Sequence, residues 1–357
     1  EGGAMGGLPV VRPGDASVAA PFTSRIPSVR AVVDLIRQGR CTLLSALMQQ
    51  QIMMLESTIA AYTLSALSLH NARSSERQMM ASSWLIMTAA VSFSYASPLD
   101  HMHPLRPLRS LFHPAIFLST FGQSAIHIAC MTLAVHWATE AMGPAQLKEV
   151  TEFFKKVKAH EIDRSSLCGE EDFMCQFQAY WTAPFMPNLL NSVVFLVETS
   201  QMISVFFANY KGRPWMKGML ENHPLFLSVF LCVAGVIVAA WEMIPQLNDM
   251  LQLAPFPNDA FRYKVLILVI STIAGTFLWD RLCVFLFAPA VFKASMEEQQ
   301  KVTIKDFYPI FTTVGKIAAV LLLLGSGNIL LIGMAIYWYW NFTKAQQQKE
   351  RQEVANL

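Results

Sequence analysis

Ile36-Arg37-Gln38-Gly39-Arg40-Cys41-Thr42-Leu43 stands at the mouth of an apolar run that reaches residue 69, and Gly14-Asp15-Ala16-Ser17-Val18-Ala19-Ala20-Pro21-Phe22-Thr23 precedes it. The earlier stretch is built of small and polar residues and is broken by Pro21, the pattern of a strand or loop edge. Across residues 28–40 the apolar positions Val29, Val32, Val33 and Ile36 fall close to helical spacing. A soluble piece therefore runs straight into a helix that enters a membrane. A helix from about 27 to 70, rising ~1.5 Å per residue, is roughly twice the hydrocarbon thickness of a bilayer and so forms both a stalk and a span.

Composition fixes the class. Hydrophobic residues make up 54% of the chain and charged residues 15%, and the mean hydropathy is +0.37, values of an all-α polytopic membrane protein rather than a soluble domain. A net charge of +2 without a basic run sets nucleic acid aside as a partner and leaves the lipid bilayer. The first 30 residues hold no apolar core of a signal peptide. A Gly-rich leader that does not begin with Met reads as the start of a C-terminal fragment.

Apolar stretches near 20 residues fall at 42–69, 79–97, 113–138, 184–208, 224–246, 262–288 and 312–340, which predicts six to seven transmembrane helices. Loop charge orients them. Arg106 and Arg109 lie between the second and third, and Lys211, Arg213 and Lys217 between the fourth and fifth; both loops read as cytosolic. The loop of about 45 residues after the third segment is acidic on balance, and Glu242, Asp249 and Asp259 follow the fifth. These belong on the opposite side, with Arg73 and Arg77 dissenting. The seventh segment carries Gly325-Ser326-Gly327-Asn328 near its middle, so it either spans or turns back as a re-entrant hairpin. Tyr337-Trp338-Tyr339-Trp340 suits an interfacial belt in both cases.

Several strings resemble the C-terminal third of type V-A P-type ATPases. They are residues 14–23, Gln38-Gly39-Arg40-Cys41-Thr42-Leu43, Arg106-Pro107-Leu108, Pro187-Asn188-Leu189-Leu190-Asn191-Ser192, Asn209-Tyr210-Lys211-Gly212, Glu221-Asn222-His223-Pro224-Leu225 and Asp280-Arg281. The resemblance covers residues 9–285 in order. It implies that 1–26 is a remnant of the phosphorylation domain and that 27–288 holds the stalk and six transmembrane helices; 289–311 reads as a cytosolic linker. Beyond these lie the extra apolar segment 312–340, which departs from the family's usual ending, and a polar tail at 341–357.

The resemblance further implies a pump that forms an aspartyl phosphate from Mg-ATP. The strings for that chemistry, a DKTGT-like nucleophile, a TGES-like loop and a GDGxND-like hinge, are absent from this sequence. Magnesium and ATP are thus expected of the full-length family and no cofactor of this chain. Such pumps are described as extracting misinserted or tail-anchored helices from the endoplasmic-reticulum membrane, with effects on manganese balance. The expected partners are the bilayer, the N-terminal part of the pump and a transmembrane-helix substrate.

By the same resemblance the substrate cleft borders the segment 79–97, which makes its hydroxyls, Ser83, Thr88 and Ser92 among them, candidate contacts. Hydroxyls on a membrane helix also bond their own backbone or a neighbouring helix. Glu56 and Glu198 are ionisable residues inside apolar segments, where a charge costs on the order of 3 kcal/mol. Gln49 and Glu56 lie two helical turns apart on one face with Ser57 at its edge, separated by Ile52 and Met53. This is a candidate transport path or, equally, a protonated Glu bonded between helices. Cys168 and Cys175 lie in the loop assigned to the lumen, where a disulfide is one reading. Cys41, Cys130, Cys232 and Cys283 read as buried small hydrophobes. Asp100, His101 and His103 read as a solvated turn, and no metal site is expected.

Two function classes remain: the membrane-embedded C-terminal part of an ATP-driven transporter, or a non-catalytic scaffold derived from one. A secondary transporter should show inverted internal repeats, and none is found.

Overall fold

The computed structural model describes residues 29–93, 96–162 and 184–303, with positions 308, 311, 312 and 315 beyond them. The 14–23 stretch, Cys168 and Cys175, and nearly all of 312–340 lie outside the described residues. By proximity the chain divides into Glu1–Val302 and Thr303–Leu357; the helical bundle belongs to the first unit.

Every regular element of that bundle among the described residues is helical. α1 spans Arg30–Leu69, α2 Glu76–Phe93, α3 Pro114–Lys158, α4 Leu189–Asn209, α5 His223–Ala240, α6 Pro245–Met250, α7 Asp259–Phe287 and α8 Pro289–Gln299, with a 3₁₀ turn at Met219–Glu221. Five of these, α1, α3, α4, α5 and α7, are long and apolar enough to cross a membrane. The chain is an all-α polytopic membrane protein. α2 opens on Glu76-Arg77-Gln78 and falls short of that measure.

The helix ends follow from local chemistry. Asn188, Asn222 and Asn258 cap α4, α5 and α7, each side chain accepting the amide three residues on, at 2.8, 3.5 and 2.8 Å. His113 caps α3 in a similar way, accepting the Ala115 amide ahead of a helix that begins at Pro114. α1 closes with Asn71 at φ 51°, and the Ala72 amide reaches back to the Leu67 carbonyl at 2.9 Å. α3 carries a sharp kink at Gly143, whose φ of 69° only glycine adopts at ease, followed by Pro144. Much of the predicted 45-residue loop is thus helix: beyond the kink α3 runs on to Lys158.

α4 is the axis of the bundle. Surrounded on nearly all sides, it has 89% of its membrane-length window buried, against 33–39% for the other four. The large apolar side chains left outside, such as Phe117, Leu133, Phe230, Ile267 and Leu278, suit contact with lipid tails rather than water. α3 and α7 approach closely because Gly122 leaves room for the Trp279 ring; a Cβ there would sit 1.9 Å from the indole nitrogen. That nitrogen donates to the Leu118 carbonyl at 3.0 Å.

Alternating helix directions bring the connections together at two ends. At one, Arg37 and Arg40 of α1 donate to the carbonyls of Asp100 and His103, Trp215 donates to Leu105 O at 2.8 Å, and Asn222 donates to Ser92 O at 3.0 Å. At the other, Arg73 donates to Pro184 O and Asn191 to Arg73 O, at 2.7 and 3.1 Å, while the Ala254 amide donates to Ser192 Oγ at 2.7 Å.

Candidate functional site

Two strings that are far apart in sequence meet where α4 ends. Past Asn209 the chain turns through Tyr210, Lys211 and Gly212, and the Lys211 ammonium pairs with Asp280 on α7. Asp280 is 1% exposed, so its charge must be met inside the protein. Its Oδ1 accepts Ser119 Oγ of α3 at 2.7 Å. Gln123, one turn further along α3, donates to Ser119 Oγ at 2.9 Å and to Asn209 Oδ1 at 3.0 Å. Asn209 returns a bond to Gln123 Oε1 at 2.9 Å. Arg281 adds a second cation, its Nε 3.8 Å from Asp280 and its guanidinium 5.0 Å above the Phe277 ring.

Helical spacing builds this network. Ser119, Gln123 and His127 on α3, and Thr272, Thr276 and Asp280 on α7, form two rows at intervals of four residues, all buried. Gln201 of α4 donates to the His127 carbonyl at 2.8 Å. The result is a polar seam between α3, α4 and α7. Gly212 seals the turn: a Cβ there would lie 2.5 Å from the Gly218 Cα. Tyr210 donates to Lys217 O at 3.1 Å, and burial pushes its phenol up to about 12, so it stays a neutral donor.

Beside the seam, Arg213 grips Glu221 through two bonds of 2.9 and 2.7 Å and lies 3.5 Å from Glu298 of α8. Glu298 also meets Lys301, and His101 at 3.6 Å. Burial raises the Glu298 carboxyl, but Lys301, His101 and Arg213 together outweigh it and hold the group below the ordinary carboxylate range. Between α1, α3, α7 and α8 lies a cavity of about 70 Å³ whose lining includes Met48, Gln51, Lys211, Asp280, Arg281 and Val284.

The residues singled out from the sequence lie elsewhere. Gln49 and Ser57 are exposed on α1 and Glu56 is half-buried, while the helix turns Leu44, Met48, Ile52, Leu55 and Ile59 inward. Ser57 donates to Met53 O at 2.8 Å. Ser83 and Thr88 are exposed on α2 and Ser92 is buried; Thr88 and Ser92 donate to the carbonyls four residues back, at 2.8 and 2.6 Å. Glu198 is half-buried on α4. His103 accepts the Leu105 amide on Nδ1 at 3.2 Å. The free cysteines Cys41, Cys130, Cys232 and Cys283 are buried. The seam residues Lys211, Asp280, Gln123, Asn209 and His127 are not candidates on sequence grounds. The signal for them is the four-residue spacing of polar residues inside apolar runs.

Among the described residues no three His, Cys, Asp or Glu side chains converge on a point, and the buried carboxylate of Asp280 is already matched by Lys211. These residues do not fit a magnesium-nucleotide site.

No family model matches the chain. An endoplasmic reticulum transmembrane helix translocase of Aspergillus fumigatus is 31% identical over 280 residues, 78% of this chain and 19% of that protein. A probable manganese-transporting ATPase of Arabidopsis thaliana is 31% identical over 295 residues, 83% of this chain and 22% of that protein. Identity drops to 22% over 258 residues for a polyamine-transporting ATPase of Mus musculus. The chain belongs with the type V-A P-type ATPases. It corresponds to the C-terminal membrane part of such a pump and spans about a fifth of the length of the relatives it matches. The strings that carried the resemblance act as anchors of this membrane domain: Asn209 to Gly212 meets Asp280-Arg281, while Asn188 and Asn222 cap helices.

Proposed function

We propose that this chain forms one wall of the path along which an ATP-driven pump of the endoplasmic-reticulum membrane extracts misinserted or tail-anchored helices. The names of the relatives from Aspergillus fumigatus and Saccharomyces cerevisiae, endoplasmic reticulum transmembrane helix translocases, support this substrate class. In this reading 1–26 closes the phosphorylation domain, 289–311 is cytosolic, and 312–357 adds an apolar segment and a polar tail. ATP and magnesium would be handled by parts of the pump that this chain does not align with.

The observation that carries the reading is the contrast between the two faces of α1 and α2. Their inner faces pack into the core, whereas Gln49, Ser57, Ser83 and Thr88 stand at least partly open along helices otherwise sheathed in apolar residues. A passing helix has polar ends and, briefly, unpaired carbonyls that such groups can meet without binding tightly. α1, at 40 residues, would span about 60 Å and link the cytosolic machinery to this wall.

The test places a photo-crosslinking residue at Gln49, Ser83 or Thr88 in the full-length pump that carries this chain, co-reconstituted with a tail-anchored protein. Crosslinks to its membrane anchor are expected at these positions and to change with ATP. The same probe at Phe230 or Ile267 should capture lipid. Equal capture of the anchor at all five positions would remove the wall from the path.

A further inference from the structure

We propose that the cavity between α1, α3, α7 and α8 is a binding site for a phosphate group, that of an anionic phospholipid headgroup or of free phosphate. Its polar lining is unbalanced in one direction. Lys211 and Arg281 face the single carboxylate of Asp280, so these three groups carry one more positive than negative charge. Gln51 lines the same cavity from α1, is 3% exposed, and its Nε2 has no hydrogen-bond partner among the described residues. Arg281 Nε is likewise buried without a hydrogen-bond acceptor. Both unmet groups are donors, and a buried donor left unpaired costs about 1–3 kcal/mol. An oxyanion answers both the charge and the donors at once.

The remaining walls are largely apolar. Leu44, Leu47, Leu108, Val284 and Val291 line the rest of the cavity, offering apolar surface to an acyl chain beside the cationic floor. The volume, about 70 Å³, is several times the ~10–15 Å³ that one water requires. The location also suits a headgroup: the cavity lies at the end of the bundle that holds Arg37, Arg40, Lys211 and Arg213, and basic pockets between membrane helices on such a face are where anionic headgroups bind. Arg213 is committed to Glu221 and Glu298 and serves as part of the frame. This inference goes beyond helix extraction and stands whether or not that reading holds.

The test uses the full chain in phosphatidylcholine nanodiscs, in nanodiscs that also contain phosphatidylglycerol, and in phosphatidylcholine nanodiscs with added inorganic phosphate at matched ionic strength. The readout is the thermal unfolding midpoint. At least one anionic arm is expected to raise it by roughly 2–4 °C or more. A rise with phosphatidylglycerol alone assigns the site to a headgroup, and a rise with inorganic phosphate assigns it to the phosphate group itself; both support the proposal. The rise should vanish in R281Q and in Q51L and persist in R262Q, which alters the opposite end. Should R281Q fail to fold, Q51L decides, since it replaces the unpaired amide by an apolar group of similar size. Equal midpoints in all three arms, or full responses in Q51L, would overturn the site.

Discussion

The bundle holds two sets of polar side chains at membrane depth that behave in opposite ways. In the seam between α3, α4 and α7, Ser119, Gln123, Asn209 and Asp280 bond across helices. On α1 and α2, the exposed Ser57 and Thr88 bond back to their own helix. The first set joins elements, so each member is held by a partner that would be stranded without it. The second set satisfies itself locally and leaves its helix free on one side. Buried cross-helix bonds mark the fixed part of the domain, and self-bonded hydroxyls on the outer face mark the part that other molecules can approach.

The largest effect should come from Asp280. Asp280→Asn leaves Lys211 and Arg281 facing a neutral amide, and breaking a buried pair costs about 3–5 kcal/mol; the partial exposure of Lys211, 19%, places the loss toward the lower end. Unfolding of the detergent-purified chain should show it. A loss no larger than that of Glu56→Gln on the outer face would erase the contrast between the two sets.

Next is the amide pair. Gln123→Leu strands Asn209, and Asn209→Leu strands Gln123, each at roughly 1–3 kcal/mol. The double variant Q123L/N209L should recover much of that, because both partners are then apolar. Additive losses in the cycle would show that the two amides do not act as a unit.

How the two sets are distributed along the sequence explains what can be read there. The apolar runs and the Asn caps ahead of α4, α5 and α7 are local signals, and they announce the helices. Glu56 draws attention because it is a charge alone in an apolar run. Asp280 stands beside Arg281 near the end of such a run, and nothing local says that Lys211, 69 residues earlier, folds against it. The kink at Gly143-Pro144 likewise hides the continuation of α3, because Gly-Pro reads as a helix stop. Cross-helix pairing is a tertiary fact, and only the four-residue rhythm of Ser119, Gln123 and His127 hints at it.

A smaller effect tests the charged end beside the seam. Glu298 is held below the ordinary carboxylate value of 4.5, so its contribution is fully present above that pH and is lost as pH falls through its lower folded value. Glu298→Gln should therefore cost about 1 kcal/mol at neutral pH, and the gap from the parent should close in acid. A gap that widens below that value would mean the cations do not act on this carboxylate.

The smallest stability change is expected on the outer face, and there the contrast is sharpest. Ser83→Ala and Thr88→Ala should alter unfolding by no more than about 0.5 kcal/mol, because Thr88 loses only a bond to the Trp84 carbonyl of its own helix and Ser83 is not fully buried. If these hydroxyls meet a passing helix, the full-length pump bearing both changes should extract a tail-anchored substrate more slowly while remaining as stable as its parent. Asp280→Asn should do the reverse, lowering stability and extraction together, and its activity per folded molecule should be less affected. Measuring both quantities on both variants separates a wall that contacts substrate from a seam that holds the wall in place.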